Sequence, residues 1–267
     1  MLVVTRPDRP RGRGRHLSPP PVAEAARALG IELFQPASVN DDDARASIAA
    51  AHPDVVCVCA FGALIKEPLL SDYEMLNVHP SLLPRWRGAA PIERAIMAGD
   101  AETGVSIMRV TAGLDSGPVC LQAAEPIETT DTYGTLSARL ERIGGELLVR
   151  ALDERPPFRE QAEEGATYAQ KLEPGDRRLD PDRPASELDR VVRALTPHVG
   201  AYVELADGER LGVKEVAVVP DGPPAGTLSL DGPRPVLGCA VGALELLVVQ
   251  PAGRRAMAGE DYLRGLR

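Results

Sequence analysis

No run of apolar residues in this 267-residue chain approaches the roughly 20 that a membrane-spanning helix requires, which excludes a helical membrane protein. The opening MLVVTRPDRP also lacks the charged region, longer apolar stretch and small-residue cleavage site of a signal peptide, so a cytoplasmic location is expected by default. Cysteine is scarce. Of the four, Cys57 and Cys59 alternate within an apolar stretch, Cys120 and Cys239 stand alone, and no Cys-x-x-Cys occurs. They are expected to be buried small hydrophobes rather than ligands. The four histidines, His16, His52, His79 and His198, are scattered singly, so no metal site is expected. There are no internal repeats or low-complexity tracts.

Excess positive charge is missing too: the formal net charge is −9, which argues against wholesale nucleic-acid binding. The distribution says more. Arg6, Arg9, Arg11, Arg13 and Arg15 fall close together against a single acid, Asp8, whereas acids crowd at residues 41–43 and 160–164. One basic arm on an acidic body suits a protein that holds one RNA at one place, although the same arm is equally a solvated loop. Pro7, Pro10, Gly12 and Gly14 interrupt regular structure, so the arm is expected to be disordered without RNA, with its arginines open to phosphates.

The chain is long enough for two domains. Residues 2–4 read as a short strand, 22–30 as a helix with proline in its first turn and glycine past its end, and 31–35 as a strand. Asn40 reads as the cap of a helix running to about residue 51, with Asp41, Asp42 and Asp43 in its first turn. Residues 54–60 form a near-continuous apolar run, the pattern of a buried parallel strand. Alternating strands and helices indicate a Rossmann-like α/β domain with a mostly parallel sheet. Residues 89–99 read as a helix, 103–110 as a strand and 111–118 as a loop. Tyr133, Leu136, Leu140, Ile143, Leu147 and Ala151 recur at helical spacing and mark one apolar face. Past residue 153 the composition shifts to Pro, Glu, Asp and Arg. A helix at 186–195 and strands at 201–205, 211–219, 235–240 and 244–249 follow, with Asp207-Gly208 as a turn. Short strands between Gly/Pro turns suggest a small barrel.

What organises the chain is MLNVHPSLLPRWRGAAP at residues 75–91. Residues 75–79 alternate as a strand does, which puts Asn77 and His79 on one face before Pro80 ends the ladder. An amide and an imidazole at a strand end offer an acyl transfer a donor for a developing oxyanion and a base that titrates near neutral pH. An Asn-x-His pair alone is equally a structural feature. Asp115 lies in VTAGLDSG at residues 110–117, between Gly113 and Gly117, where glycine on both sides lets a carboxylate approach His79; glycine-flanked aspartates are also ordinary turn residues.

These two segments resemble those of the folate-dependent formyltransferases, and the resemblance extends over nearly the whole chain. It implies transfer of a formyl group from 10-formyltetrahydrofolate to the methionine of initiator methionyl-tRNA, without metal, by a monomer. It implies a catalytic trio of Asn77, His79 and Asp115. It further implies folate contacts from Ser81, Leu82, Leu83 and Pro84, with a cis Leu83-Pro84 bond, and from Phe61, Gly62 and Leu64, although these last read as well as an ordinary strand-to-helix turn. Arg9, Arg11, Arg13, Arg15, Arg254 and Arg255 would hold the tRNA. The implied organisation is a catalytic domain at residues 1–153, a linker at 154–182 containing YAQKL, and a C-terminal OB-like tRNA-binding domain at 183–267 closed by QPAGRRAMAGEDYLRG. Members of the family begin about thirty residues earlier with a strand central to the sheet, so Val3, Val4, Val55, Val56, Val58 and Ile107 are expected to lack packing partners or to flank a gap. Two alternatives stay open: another folate-dependent formyltransferase or formyltetrahydrofolate hydrolase, and a truncated, non-catalytic RNA-binding relic.

Overall fold

A computed structural model describes residues 1–11 and 16–266. The architecture is α/β, in two compact units. The first comprises Met1–His79, Ile107–Cys120 and Pro157–Glu160, and the second Pro80–Ser106, Leu121–Pro156 and the chain from Gln161 onward.

The chain opens with β1 (Leu2–Val4), followed by β2 (Arg9–Arg11) and β3 (His16–Ser18), which pair antiparallel with Arg9 opposite Ser18 and Pro10 opposite Leu17. The arm predicted to be disordered therefore begins and ends as a ribbon. Its root is tied: the Gln35 side-chain amide donates to the Arg6 carbonyl at 2.9 Å and to the Asp8 carboxylate at 2.8 Å. Pro10 is tolerated because a two-stranded ribbon has only edge strands.

Next, α1 (Pro21–Ala28) has proline in its first turn, where the missing N–H costs nothing, and buries Ala23 and Ala26. It leads into β4 (Glu32–Phe34), parallel to β1. The helix α2 (Asp42–Ala50) carries Asp42 and Asp43 at its positive end. Its N-cap is Asp41, without a side-chain cap, so Asn40 does not play the predicted part. Then come β5 (Val56–Cys59), α3 (Leu69–Asp72) and β6 (Met75–His79), with β5 and β6 parallel. After β7 (Arg87–Gly88) and α4 (Pro91–Ala98), Gly99 ends the helix at φ +76°, a conformation that glycine adopts without steric cost. The strands β8 (Glu102–Arg109) and β9 (Val119–Pro126) complete a sheet of order β5-β6-β8-β9.

Among the described residues no ladder joins β5 to β1 or β4. Val3, Val4, Val55, Val56 and Val58 are half-buried, with Val4, Val56 and Val58 packed against the cluster of Ile48, Leu69 and Met75, and Ile107 is fully buried, so these residues do not lack packing partners as the sequence suggests. The expectation for the cysteines of β5 fails. Cys57 and Cys59 are exposed, because the strand has β6 on one side only and its burial alternates instead of being continuous.

In the second unit, α5 (Tyr133–Glu154) starts at a capping box in which the Thr132 and Thr135 side chains each accept from the other's backbone N–H. The predicted apolar face is buried at Leu136, Leu140, Ile143, Leu147 and Ala151, and the helix packs on α4. Downstream, β10 (Tyr168–Ala169) pairs parallel with β7. Gly88 is required there: at φ +120°, a Cβ would lie 2.7 Å from the Ala169 carbonyl oxygen. A 3-10 turn (Pro174–Arg177) and α6 (Ala185–Leu195) lead to β11 (Ala201–Glu204), β12 (Arg210–Val219), β13 (Leu228–Ser229), β14 (Val236–Gly238), β15 (Ala243–Gln250) and β16 (Met257–Ala258), followed by α7 (Gly259–Arg264). The sheet order is β11-β12-β15-β14-β13, with β16 on β15 and every pair antiparallel. No ladder among the described residues closes β11 onto β13, so this C-terminal β domain is an open sheet around α6.

Candidate active site

The first unit positions Asn77, His79 and Asp115. In β6 the residues Met75 and Leu76 are buried and anchor the strand, with Met75 in the apolar cluster of Ile48 and Leu69. Asn77, opposite Val58 of β5, is half-buried, and His79 is 3% exposed at the strand end. Two residues apart on one strand, they share a face.

Asp115 reaches His79 from the loop after β8. That loop is pinched at its base, where the Arg109 N–H donates to the Pro118 carbonyl at 2.9 Å, and the Val110 N–H ties its start to the Met75 carbonyl of β6 at 2.9 Å. Arg109 is fastened in turn by Glu74 at 2.7 Å and by the face of Phe158, 4.2 Å from its guanidinium carbon. Within the loop the sharp bend falls on Asp115 itself, at φ +44°, and not on the glycines as the sequence suggests. Gly113 and Gly117 serve close approach instead: a Cβ on the first would collide with the Ser116 hydroxyl, and on the second with the Arg109 carbonyl. A left-handed aspartate is uncommon and is held by its surroundings. The outcome is a His79 Nδ1 to Asp115 Oδ2 distance of 3.8 Å, with the imidazole buried and the carboxylate 21% exposed at its side chain. This is longer than a hydrogen bond but close enough for strong attraction if positive charge develops on the ring.

Of the loop after β5, Phe61 is half-buried, Gly62 adopts φ +66°, and Leu64 is exposed. Asn40 clamps it: its side-chain amide donates to the Leu64 carbonyl at 2.9 Å and accepts from the Lys66 N–H at 2.9 Å. Sequence reasoning assigned Asn40 to a helix cap and missed this.

The second unit holds residues 81–84 in a buried polar lock. The Ser106 hydroxyl donates to the Ser81 carbonyl at 2.6 Å and accepts from the Leu83 N–H at 3.1 Å and from the Gln122 amide at 2.8 Å. Gln122 also donates to the Leu83 carbonyl at 3.0 Å, and the Ser81 hydroxyl to the Arg85 carbonyl at 2.6 Å. Ser81 and Leu83 are buried, Leu82 and Pro84 half-buried, and the Leu83-Pro84 bond is cis. Neither Ser106 nor Gln122 was singled out in the sequence. The available signal was Ser106 itself, a hydroxyl within the apolar run GVSIM that must find partners once buried.

Of the predicted RNA-contacting residues, Arg9 on β2 and Arg254 and Arg255 between β15 and β16 are exposed. The Arg11 side chain, Arg13 and Arg15 lie outside the described residues. Among the described residues no group of three or more His, Cys, Asp or Glu is placed to hold a metal ion, and no helix is long and apolar enough to cross a membrane.

The formyl transferase family matches residues 1–152, and the C-terminal domain of formyl transferases matches residues 171–267. The chain belongs to the formyltransferase family. It is similar to the methionyl-tRNA formyltransferase of Dechloromonas aromatica, 43% identical over 268 residues that cover 99% of this chain and 87% of that protein. The enzyme of that name from Gluconobacter oxydans is 44% identical over 274 residues, covering 99% and 88%. Among solved structures, HypX from Aquifex aeolicus in complex with tetrahydrofolic acid superposes with a TM-score of 0.65 at 19% identity, covering 90% of this chain and 43% of that one. Methionyl-tRNA formyltransferase from Clostridium thermocellum gives a TM-score of 0.59 at 17% identity, covering 73% and 86%. These structures share the α/β formyltransferase fold, with its Rossmann-like parallel sheet and C-terminal β domain.

Proposed function

We propose that this chain transfers the formyl group of 10-formyltetrahydrofolate to the α-amine of methionine esterified to initiator tRNA. The observation that carries the reading is the approach of Asp115 to a buried His79 at the end of the strand that bears Asn77. The amine lone pair attacks the formyl carbon and the carbonyl π electrons move to oxygen. The Asn77 amide and the His79 ring donate to that oxygen, in a buried setting where such donors count for more than in water. Collapse of the tetrahedral intermediate breaks the bond to the bridging nitrogen of the folate, which takes up a proton as the former amine loses one. His79 carries that proton, and Asp115, 3.8 Å from Nδ1, stabilises the transient imidazolium.

In this reading Ser81, Leu82, Leu83 and Pro84, and Phe61, Gly62 and Leu64, are folate-contacting residues. Arg9, Arg11, Arg13 and Arg15, with Arg254 and Arg255, hold the tRNA phosphates. In sequence, a catalytic domain at 1–153 and a linker at 154–182 precede an OB-like tRNA-binding domain at 183–267, in a monomer that works in the cytoplasm. The family match and the methionyl-tRNA formyltransferase relatives support this substrate pair. The test is formylation of charged initiator tRNA with 10-formyltetrahydrofolate as donor. The expected result is turnover by the chain and a loss of about 100- to 1000-fold on replacing Asn77 with alanine, the usual effect of deleting one oxyanion donor. No formylation by the unaltered chain, or an Asn77→Ala variant of unchanged rate, would contradict the reading.

A further inference from the structure

The sequence places residues 157–160 in a linker, yet they belong to the compact unit that holds Asn77, His79 and Asp115, although the residues on either side of them in sequence belong to the second unit. Two contacts fix this segment. Val119, the first residue of β9, and Arg159 exchange both of their backbone hydrogen bonds, at 2.8 and 2.9 Å. The half-buried ring of Phe158 lies against the Arg109 guanidinium, 4.2 Å from its carbon to the ring centre. Arg109 is in turn the hub of the loop that carries Asp115. Its N–H closes the loop on the Pro118 carbonyl, its own carbonyl leaves no room for a Cβ at Gly117, and the next N–H, of Val110, bonds the Met75 carbonyl of β6. Its side chain reaches Glu74, the residue before β6, at 2.7 Å while it rests on Phe158. One guanidinium therefore joins the base of the loop to the strand that bears His79 and to the segment paired with the strand on which the loop ends.

The tip of the loop offers no such support. Residues 111–114 are exposed, with Leu114 at 63%, so burial does not fix the tip and the base decides where the Asp115 carboxylate points. Arginine suits the task, because its flat guanidinium can stack on a ring face while its N–H groups donate to a carboxylate. An exposed ion pair and an exposed ring contact add little to stability. Their effect on a rate is not bounded in that way, since a displacement of about 1 Å at a reacting group can cost about 100-fold. We infer that Arg109 and Phe158 are positioning residues for formyl transfer: without touching substrate, they hold the loop so that the Asp115 carboxylate stays 3.8 Å from His79 Nδ1. This rests on the formyl-transfer reading above.

The test measures kcat and both Michaelis constants, for methionyl initiator tRNA and for 10-formyltetrahydrofolate, in the full chain and in Arg109→Ala, Phe158→Leu, Asp115→Asn and the Arg109→Ala/Asp115→Asn double variant. Arg109→Ala leaves the backbone bonds of the loop in place, so it reads the side chain alone. It is expected to lower kcat about 10-fold with both Michaelis constants unchanged. Phe158→Leu is expected to lower kcat about threefold, the worth of one partly exposed cation–π contact. In the Asp115→Asn background the Arg109→Ala loss should vanish, because the carboxylate that Arg109 positions is no longer there; a merely structural role would cost the same in both backgrounds. If Arg109→Ala does not fold, Phe158→Leu in the same cycle gives the decision. An unchanged kcat in either variant, a loss that appears in a Michaelis constant alone, or losses that multiply in the double variant overturn the inference and leave formyl transfer standing. Failure of the unaltered chain to formylate the tRNA overturns the formyl-transfer reading and this inference with it.

Discussion

The apolar cluster of the first unit is centred on three buried side chains, Ile48, Leu69 and Met75, with half-buried neighbours such as Val4, Val56 and Val58. The cluster between α6 and the C-terminal sheet gathers fifteen buried residues, among them Leu188, Leu195, Leu211, Leu244 and Leu246. The proposed reactive pair belongs to the thinly packed unit. His79 and Asp115 are brought together by local backbone devices: a pinched loop, a left-handed aspartate and an arginine pinned by Glu74 and Phe158. The second unit fixes residues 81–84 differently, through the buried Ser106 hydroxyl and the side-chain amide of the exposed Gln122. Geometry for chemistry and bulk stability thus have separate sources in this chain, and each can be perturbed without the other.

The largest effect expected from that division is on stability. Leu244→Ala, at a fully buried position, should cost about 2–5 kcal/mol in denaturant unfolding, and Val58→Ala, in the half-buried β5, should cost well under half as much. Equal costs would erase the contrast between the two clusters.

Acid should act on the second unit through Asp131. The Arg139 guanidinium, aided by the Thr135 hydroxyl and the Glu128 N–H and opposed by burial, holds its carboxyl at about 2, against an ordinary 3.8. The folded state therefore binds this proton more weakly than the unfolded one. The linkage contributes about 2 kcal/mol above pH 4 or so, and that contribution is lost as pH falls toward 2. Asp131→Asn should flatten the acid limb of stability against pH in that window; an unchanged limb would show that the ion pair adds nothing.

A smaller loss, about 1 kcal/mol or less, is expected for Asn40→Ala, which deletes two exposed hydrogen bonds of the loop at residues 61–66. Amide exchange at Lys66 should accelerate while the amide of Leu83, bonded to Ser106, stays protected. Acceleration at both would sharpen the comparison into a coupling between the two loops. Smallest in energy is the contrast between thiols. Cys57 and Cys59 on β5 should react with a maleimide in the native state, whereas Cys239, 7% exposed, should react only on unfolding; burial raises the thiols of Cys57 and Cys239 alike, so access decides the contrast.

Much of this was legible in the sequence. The strand at residues 75–79 was read with its observed bounds, because alternation and the following proline both specify it. The face of α5 and the strands β11, β12, β14 and β15 of the C-terminal domain followed from period and turn chemistry, whereas the two-residue strands β13 and β16 were missed. Other features depend on what lies beside a segment, which no local pattern records. The strand β9 was missed because VCLQAAEP is poor in β-forming residues and is held by its neighbour β8. The start of the arm, residues 6–11, was misjudged because its anchor, Gln35, comes from the far side of a helix; residues 12–15 of the arm lie outside the described residues. Burial of Cys57 and Cys59 was expected from their apolar run, but β5 has a partner on one side only. In the site, Asn77, His79 and Asp115 could be named from their motifs, whereas Asn40, Ser106 and Gln122 act through contacts that only the fold creates.

The central claim is that His79 and Asp115 act as one device. It is tested most directly by single-turnover formyl transfer to methionyl initiator tRNA by His79→Ala, Asp115→Asn and the double variant. The account predicts a loss of about 100-fold or more for His79→Ala and a double variant hardly slower than that single one, because groups that act as a unit are not additive. Losses that multiply in the double variant, or a His79→Ala rate near that of the unaltered chain, would contradict it.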